Sequence, residues 1–61
     1  MRVGFVGLGT MGRNAALNIM RAGFELVGYD VRQEAVDWLV ARGAKAATSP
    51  ADVLSRTDVV V

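Results

Sequence analysis

The chain has 61 residues, with seven basic and six acidic side chains and a net charge of +1, a balance that gives nucleic acid and anionic membranes no electrostatic hold. It holds no cysteine and no histidine, which excludes disulfide staples, the usual metal clusters and His-based catalytic pairs. No apolar stretch approaches the roughly 20 residues of a membrane span, and a domain this short buries only about 60% of its unfolded surface, so a hydrophobic content of 52% implies surface that something further must cover.

Residues 2 to 6 predict a short strand, apolar enough to be covered on both faces. Gly7 to Thr10 reads as a turn, and a helix follows from about Met11 to Ala22 with Gly23 as its stop. On a helical wheel Gly12, Ala15, Ala16, Ile19 and Gly23 share a side of small residues that suits close packing on a sheet. Asn14, Leu17, Asn18 and Arg21 share the other side. Leu17 reads there as a single exposed leucine, with contact to a further domain as the rival reading.

Leu26 to Tyr29 predicts the second strand. A second helix spans about Arg32 to Arg42, stopped by Gly43, with Ala35, Val36, Leu39 and Val40 as its buried stripe. Trp38 falls on the opposite side and reads as a partly covered surface aromatic. Ala44 to Ala47 is a weak third strand at a sheet edge. Ser49-Pro50-Ala51-Asp52 opens a third helix, Ser49 accepting from the Asp52 amide and Asp52 reaching back to the Ser49 amide. Pro50 takes the first helical position, where its missing N–H does no harm. Thr57 to Val61 begins a fourth strand. The alternation β-α-β-α-β-α-β is that of an α/β, Rossmann-type parallel sheet with right-handed crossovers, incomplete at the C-terminus. The expectation is one domain or less, residues 1–61 being the N-terminal part of a dinucleotide-binding domain in a longer protein.

Gly7-Leu8-Gly9-Thr10-Met11-Gly12 carries the chemistry. A bare G-x-G-x-x-G is a weak signal, but here a strand leads in, a helix leads out, and the second strand ends in Asp30, 23 positions after Gly7. That is the layout of a dinucleotide site. Free amides at a helix N-terminus hold a pyrophosphate without a metal, and the helix dipole adds to them. Gly7 permits the tight turn, Gly9 the close approach of phosphate, and Gly12 the packing of the helix on the first strand. The amides of Thr10, Met11 and Gly12 are the expected donors, with the Thr10 hydroxyl beside them. A glycine-rich turn that binds nothing is the bland rival.

A carboxylate at Asp30 accepts from the adenosine ribose hydroxyls and repels a 2′-phosphate, which favours NAD over NADP. Two features pull against it. With Gln33 three residues on, Asp30 also reads as a cap of the second helix, and Arg32 is placed to reach a 2′-phosphate. The cofactor-binding candidates are thus Gly7, Leu8, Gly9, Thr10, Met11, Gly12, Asp30, Val31 and Arg32. No metal ligand and no catalytic residue is assigned.

The segment Gly4-Phe5-Val6-Gly7-Leu8-Gly9-Thr10-Met11-Gly12 resembles the N-terminal signature of the β-hydroxyacid dehydrogenases. These include 3-hydroxyisobutyrate, tartronate semialdehyde and threonate dehydrogenases, with 6-phosphogluconate dehydrogenase as a relative. The likeness continues through Asn18, Gly23, Gly43-Ala44 and Ser49-Pro50-Ala51-Asp52 to Asp58-Val59-Val60, and so covers essentially the whole chain. Met11-Gly12-Arg13-Asn14 and Ala16-Leu17-Asn18-Ile19 lean to the 6-phosphogluconate branch, whereas Tyr29-Asp30-Val31 and Ser49-Pro50-Ala51-Asp52 lean to the NAD-using hydroxyisobutyrate type. The resemblance implies reversible hydride transfer between a small 3-hydroxy acid and nicotinamide. In the family a lysine on a helix beyond the cofactor domain is the general acid/base, and Lys45, the only lysine here, does not match it. The implied whole is a cytoplasmic enzyme, homo-oligomeric through a further domain, of which these residues alone are inactive. The rivals are an NAD-type 6-phosphogluconate dehydrogenase, a non-catalytic dinucleotide-binding module and a truncated product with no independent role.

Overall fold

The computed structural model describes residues 1–7 and 10–61, the side chains of Thr10 and Met11 excepted. In chain order the elements are β1 (Arg2–Val6), α1 (Thr10–Arg21), β2 (Glu25–Tyr29), α2 (Gln33–Val40), β3 (Lys45–Ala46), α3 (Pro50–Arg56) and β4 (Val59–Val60). The four strands form one parallel sheet in the order β3-β2-β1-β4. The predicted α/β alternation is therefore the observed one, with β3 at an edge as expected. β4 is shorter than the predicted strand, but the Asp58 amide to the Arg2 carbonyl (2.9 Å) and the Val61 amide to the Gly4 carbonyl (2.8 Å) extend its pairing at both ends.

Period-2 alternation sends successive side chains of β1 and β2 to opposite faces. Val3 and Phe5 of β1 and Leu26 of β2 join Ala16 of α1 and the buried stripe of α2 in one core. Val27 of β2 joins Ala47 and Val53 in a second, with Tyr29 packed against it. Helices α1 and α2 cover the first face and α3 the second. Right-handed crossovers demand that arrangement once the chain has passed from β3 back beyond β1 to β4. Gly4 allows it: a Cβ there would lie 2.5 Å from Val53 Cγ1 and 2.9 Å from Thr57 Oγ1. So α3 sits directly on the β1 backbone.

Both long helices end on the predicted glycines by the same device. The Gly23 amide donates to the Met20 carbonyl and the Phe24 amide to Ile19, and Gly43 and Ala44 repeat the pair on Val40 and Leu39. These bonds satisfy carbonyls that a helix end otherwise leaves open.

Three packing expectations need correction. Ala15 is exposed, and Met20 packs on the first core in its place. At about 100° per residue the covered arc runs from Ile19 through Gly12 and Ala16 to Met20, leaving Ala15 beyond its edge. Val40 is 44% exposed, because it sits a quarter-turn past the centre of the Ala35–Leu39 stripe. Leu17 is half-buried rather than exposed. Trp38 is the partly covered aromatic expected of it: half-buried against the first core, with the Arg42 guanidinium 3.7 Å from its ring centroid and that of Arg13 at 5.6 Å.

Candidate functional site

Gly7, the first glycine of the signature, follows β1 at its carboxyl end, beside the end of β2. Gly7 has φ +85°, a backbone conformation that residues with a Cβ rarely adopt. Its amide donates to the Tyr29 carbonyl at 3.0 Å, so the exit from β1 is tied to the exit from β2. Helix α1 then begins at Thr10. A Cβ on Gly12 would stand 3.0 Å from the Gly7 carbonyl oxygen and 3.3 Å from the Phe5 ring. The first turn of α1 thus packs closely on Gly7 and Phe5, and a side chain at position 12 would press on both. Helix α1 carries no acidic residue in its first turn, so no carboxylate of its own competes there with an anion.

Among the candidate residues, Gly7, Gly12, Asp30, Val31 and Arg32 are placed in full, and Thr10 and Met11 head α1 by their backbone. Leu8 and Gly9 lie outside the described residues. Asp30 follows β2, its side chain 8% exposed. Its Oδ1 accepts from the Arg32 amide at 2.8 Å, and the Arg32 Nε stands 3.6 Å from the same oxygen. This is an aspartate bonded to the amide two residues on, a turn that prepares a helix. The capping box read for Asp30 and Gln33 does not form. The N-cap of α2 is Arg32, without a side-chain cap bond, and the Gln33 amide group donates to Asp37 Oδ1 at 2.9 Å. Asp30 therefore shapes the β2–α2 junction. Val31 is 88% exposed beside it.

Val6, Gly7, Tyr29, Asp30, Val31 and Pro50 line a cleft of about 270 Å³. It lies beyond the carboxyl ends of β1 and β2, next to the place where strand order reverses between β1 and β4, which is where open α/β sheets bind ligands. Three sequence-predicted residues, Gly7, Asp30 and Val31, meet there. Val6, Tyr29 and Pro50 were not singled out as site residues. Val6 and Tyr29 are the terminal residues of the two strands that end in the signature, which is the signal that places them.

Two larger hollows lie at the other end of the sheet. One, about 550 Å³, is bordered by Arg2, Glu25, Arg56 and Asp58, and another, about 420 Å³, by Phe24, Arg42 and Lys45. Size favours them, but the chemistry does not. They face the amino ends of the strands, and polar groups of the first are already satisfied: Arg2 Nε on Glu25 at 2.9 Å and the Arg2 amide on Asp58 at 2.8 Å. Lys45 borders the second, at the far end from Gly7 and Asp30. Among the described residues no group of three or more acids or other ligand side chains is placed to hold a metal.

Gly7 at the exit of β1, the shielded carboxylate of Asp30 and the head of α1 thus meet beside one cleft at the carboxyl ends of the strands. Comparison with known proteins places the chain in a family. The sequence model for the NAD binding domain of 6-phosphogluconate dehydrogenase matches residues 2–61. An NAD-dependent L-serine dehydrogenase of Pseudomonas aeruginosa is 47% identical over 60 residues, 98% of this chain and 20% of its own length. The mitochondrial 3-hydroxyisobutyrate dehydrogenase of Homo sapiens is 41% identical over 59 residues, 97% of this chain and 18% of its own. An imine reductase of Streptomyces aurantiacus superposes with a TM-score of 0.91 at 37% identity, over 98% of this chain and 21% of that one. The chain thus spans about a fifth of the length of each of these three relatives.

Proposed function

The chain belongs to the family of NAD-binding domains of 6-phosphogluconate dehydrogenase, and from that premise we propose that it seats NAD for hydride transfer between a small 3-hydroxy acid and the nicotinamide. The observation that carries the proposal is the meeting of Gly7 and Asp30 in one cleft at the carboxyl ends of β1 and β2. In the proposed complex the α1 amides hold the pyrophosphate and Asp30 accepts from the adenosine ribose hydroxyls. NAD, when bound, supplies the hydride acceptor. These residues hold and orient it.

The hydroxyisobutyrate type is preferred over a 6-phosphogluconate dehydrogenase because relatives matching nearly the whole chain are named for L-serine and 3-hydroxyisobutyrate, both small acids with a hydroxyl on carbon 3. Residues 1–61 are the N-terminal part of the cofactor domain in this proposal. The acid/base and substrate groups, and the contacts of a homo-oligomer, belong to a further domain. No described helix is long and apolar enough to cross a membrane, and the proposed compartment is the cytoplasm.

Titration of the intact protein with NAD, followed by assay of NADH formation from 3-hydroxyisobutyrate and L-serine, tests the reading. Saturable NAD binding with turnover of one of the two acids is expected. Binding without turnover of any hydroxy acid would reduce the chain to a dinucleotide-binding module. Absence of binding would remove the reading altogether.

A further inference from the structure

One wall of the cleft comes from neither the glycine turn nor the β2–α2 junction. Pro50 is the first residue of α3, which lies on the other face of the sheet from α1, yet it borders the same cleft as Gly7 and Asp30. Its position is fixed from both sides. The Ser49 hydroxyl accepts from the Asp52 amide at 3.0 Å, and the Asp52 carboxylate accepts from the Thr48 amide at 2.9 Å. The pyrrolidine ring locks its own φ. Pro50 is thus a rigid apolar surface, solvent-exposed.

The rest of the lining is of the same kind. Val6, Tyr29 and Val31 are apolar or aromatic, and Asp30 supplies the one carboxylate. Ligand pockets commonly measure roughly 300–1,000 Å³, so a cleft of about 270 Å³ takes one end of a dinucleotide and not the whole. An apolar rim beside a single carboxylate matches a nucleoside: a flat base with apolar faces, and a sugar that donates two hydroxyl protons.

We propose that Pro50, together with Val31, forms the platform on which the purine ring of the bound dinucleotide lies, while Asp30 holds the adjoining ribose. This rests on the NAD-seating function proposed above and adds to it a specificity-determining residue at the β3–α3 junction. A purine covers more of such a platform than a pyrimidine does, so Pro50 contributes to the choice of base as well as to affinity.

The test measures dissociation constants of the intact protein for NAD and for nicotinamide cytosine dinucleotide, in the wild type and in Pro50→Ala. The wild type is expected to prefer NAD, and Pro50→Ala to shrink that preference about threefold. Equal weakening of both dinucleotides, or no change in either, overturns the assignment, since a merely structural proline has no reason to distinguish the bases. A readout that needs no variant is the nuclear Overhauser contact between the adenine H2 or H8 protons and the Pro50 ring protons in the wild-type complex. Its presence supports the platform, and its absence overturns it. If the wild type binds NAD but Pro50 fails either test, the purine platform falls and the NAD site stands. If the wild type does not bind NAD, both fall.

Discussion

Asp30 and Arg32 form the most consequential pair of side chains in the site. The Asp30 Oδ1 accepts from the Arg32 amide at 2.8 Å and has the Arg32 Nε 3.6 Å away. The carboxylate is thus largely shielded, while the guanidinium is 53% exposed. In the proposed complex a 2′-phosphate at this junction would meet the negative charge of Asp30 before it gained anything from Arg32. In Asp30→Ala that repulsion is gone and Arg32 has lost its carboxylate neighbour. Hydrogen bonds to a charged group contribute about 1.5–3 kcal/mol, so NAD affinity of the intact protein should fall about tenfold or more. NADP affinity should rise relative to it. Dissociation constants for the two cofactors check this, and an unchanged ratio would strip Asp30 of its proposed role. Gly12 is a residue-scale matter of another kind. Its neighbour at 3.0 Å is backbone, the Gly7 carbonyl oxygen, which cannot swing aside as a side chain would.

Helix α3 shows how an element's local chemistry was partly legible and where it was not. The S-x-x-D spacing predicts the Ser49 cap, and the Ser49 Oγ accepts from the Asp52 amide at 3.0 Å. The reciprocal bond falls one residue earlier than the spacing predicts, since the Asp52 carboxylate takes the Thr48 amide and not that of Ser49. Spacing along the chain does not reveal the reason, which is tertiary. Arg56 Nη1 donates to Asp52 at 3.0 Å and to the Ala46 carbonyl at 3.0 Å, so the carboxylate is drawn toward the strand end it helps to anchor. The fold class was legible because alternation of apolar strands and glycine-stopped helices is dictated locally. The edges of helix stripes, at Ala15 and Val40, were not, because periodicity gives a helix's apolar face but not the width of the arc that its neighbours cover. The Thr48 amide, then the Arg56 guanidinium, hold the Asp52 pKa below its ordinary 3.8. A depressed carboxylate pKa contributes stability that is present above the unfolded value and lost as pH falls through the folded one. Thermal midpoints followed by circular dichroism should therefore be flat from pH 7 to about 5 and drop below about pH 4. Asp52→Asn should make that acid drop shallower. Ser49→Ala should instead cost about 1 kcal/mol at every pH, because a hydroxyl does not titrate. Identical pH profiles for wild type and Asp52→Asn would refute the assignment.

At the scale of the whole molecule the limiting quantity is size and not looseness of packing. The accessible surface is 3688 Å², against roughly 3,800 Å² for a compact monomer of this mass, and such a chain hides only about 60% of its unfolded surface. Among the described residues the second core rests on three buried ones, Val27, Ala47 and Val53. Leu54 is 65% exposed on the same side of the sheet as that core's helix, and Val59 and Val61 stand 48% and 62% exposed at the β4 edge. Burial and chain entropy nearly cancel at this length, so the folded state is sensitive to anything that binds it selectively. In the proposed complex the cofactor touches β1, β2 and the first helix at once, and none of that site exists in the unfolded chain. Binding then adds RT ln(1 + [L]/Kd), about 1.4 kcal/mol at ten times the dissociation constant. In a domain near 60 residues each kcal/mol moves the midpoint by about 4–8 °C. The melting midpoint of the 61-residue chain should accordingly rise by about 6–11 °C with NAD at that excess and stay put with nicotinamide mononucleotide, which lacks the adenosine half. A midpoint indifferent to NAD, in a chain that melts cooperatively, would mean that these residues do not build the adenosine end of the site by themselves.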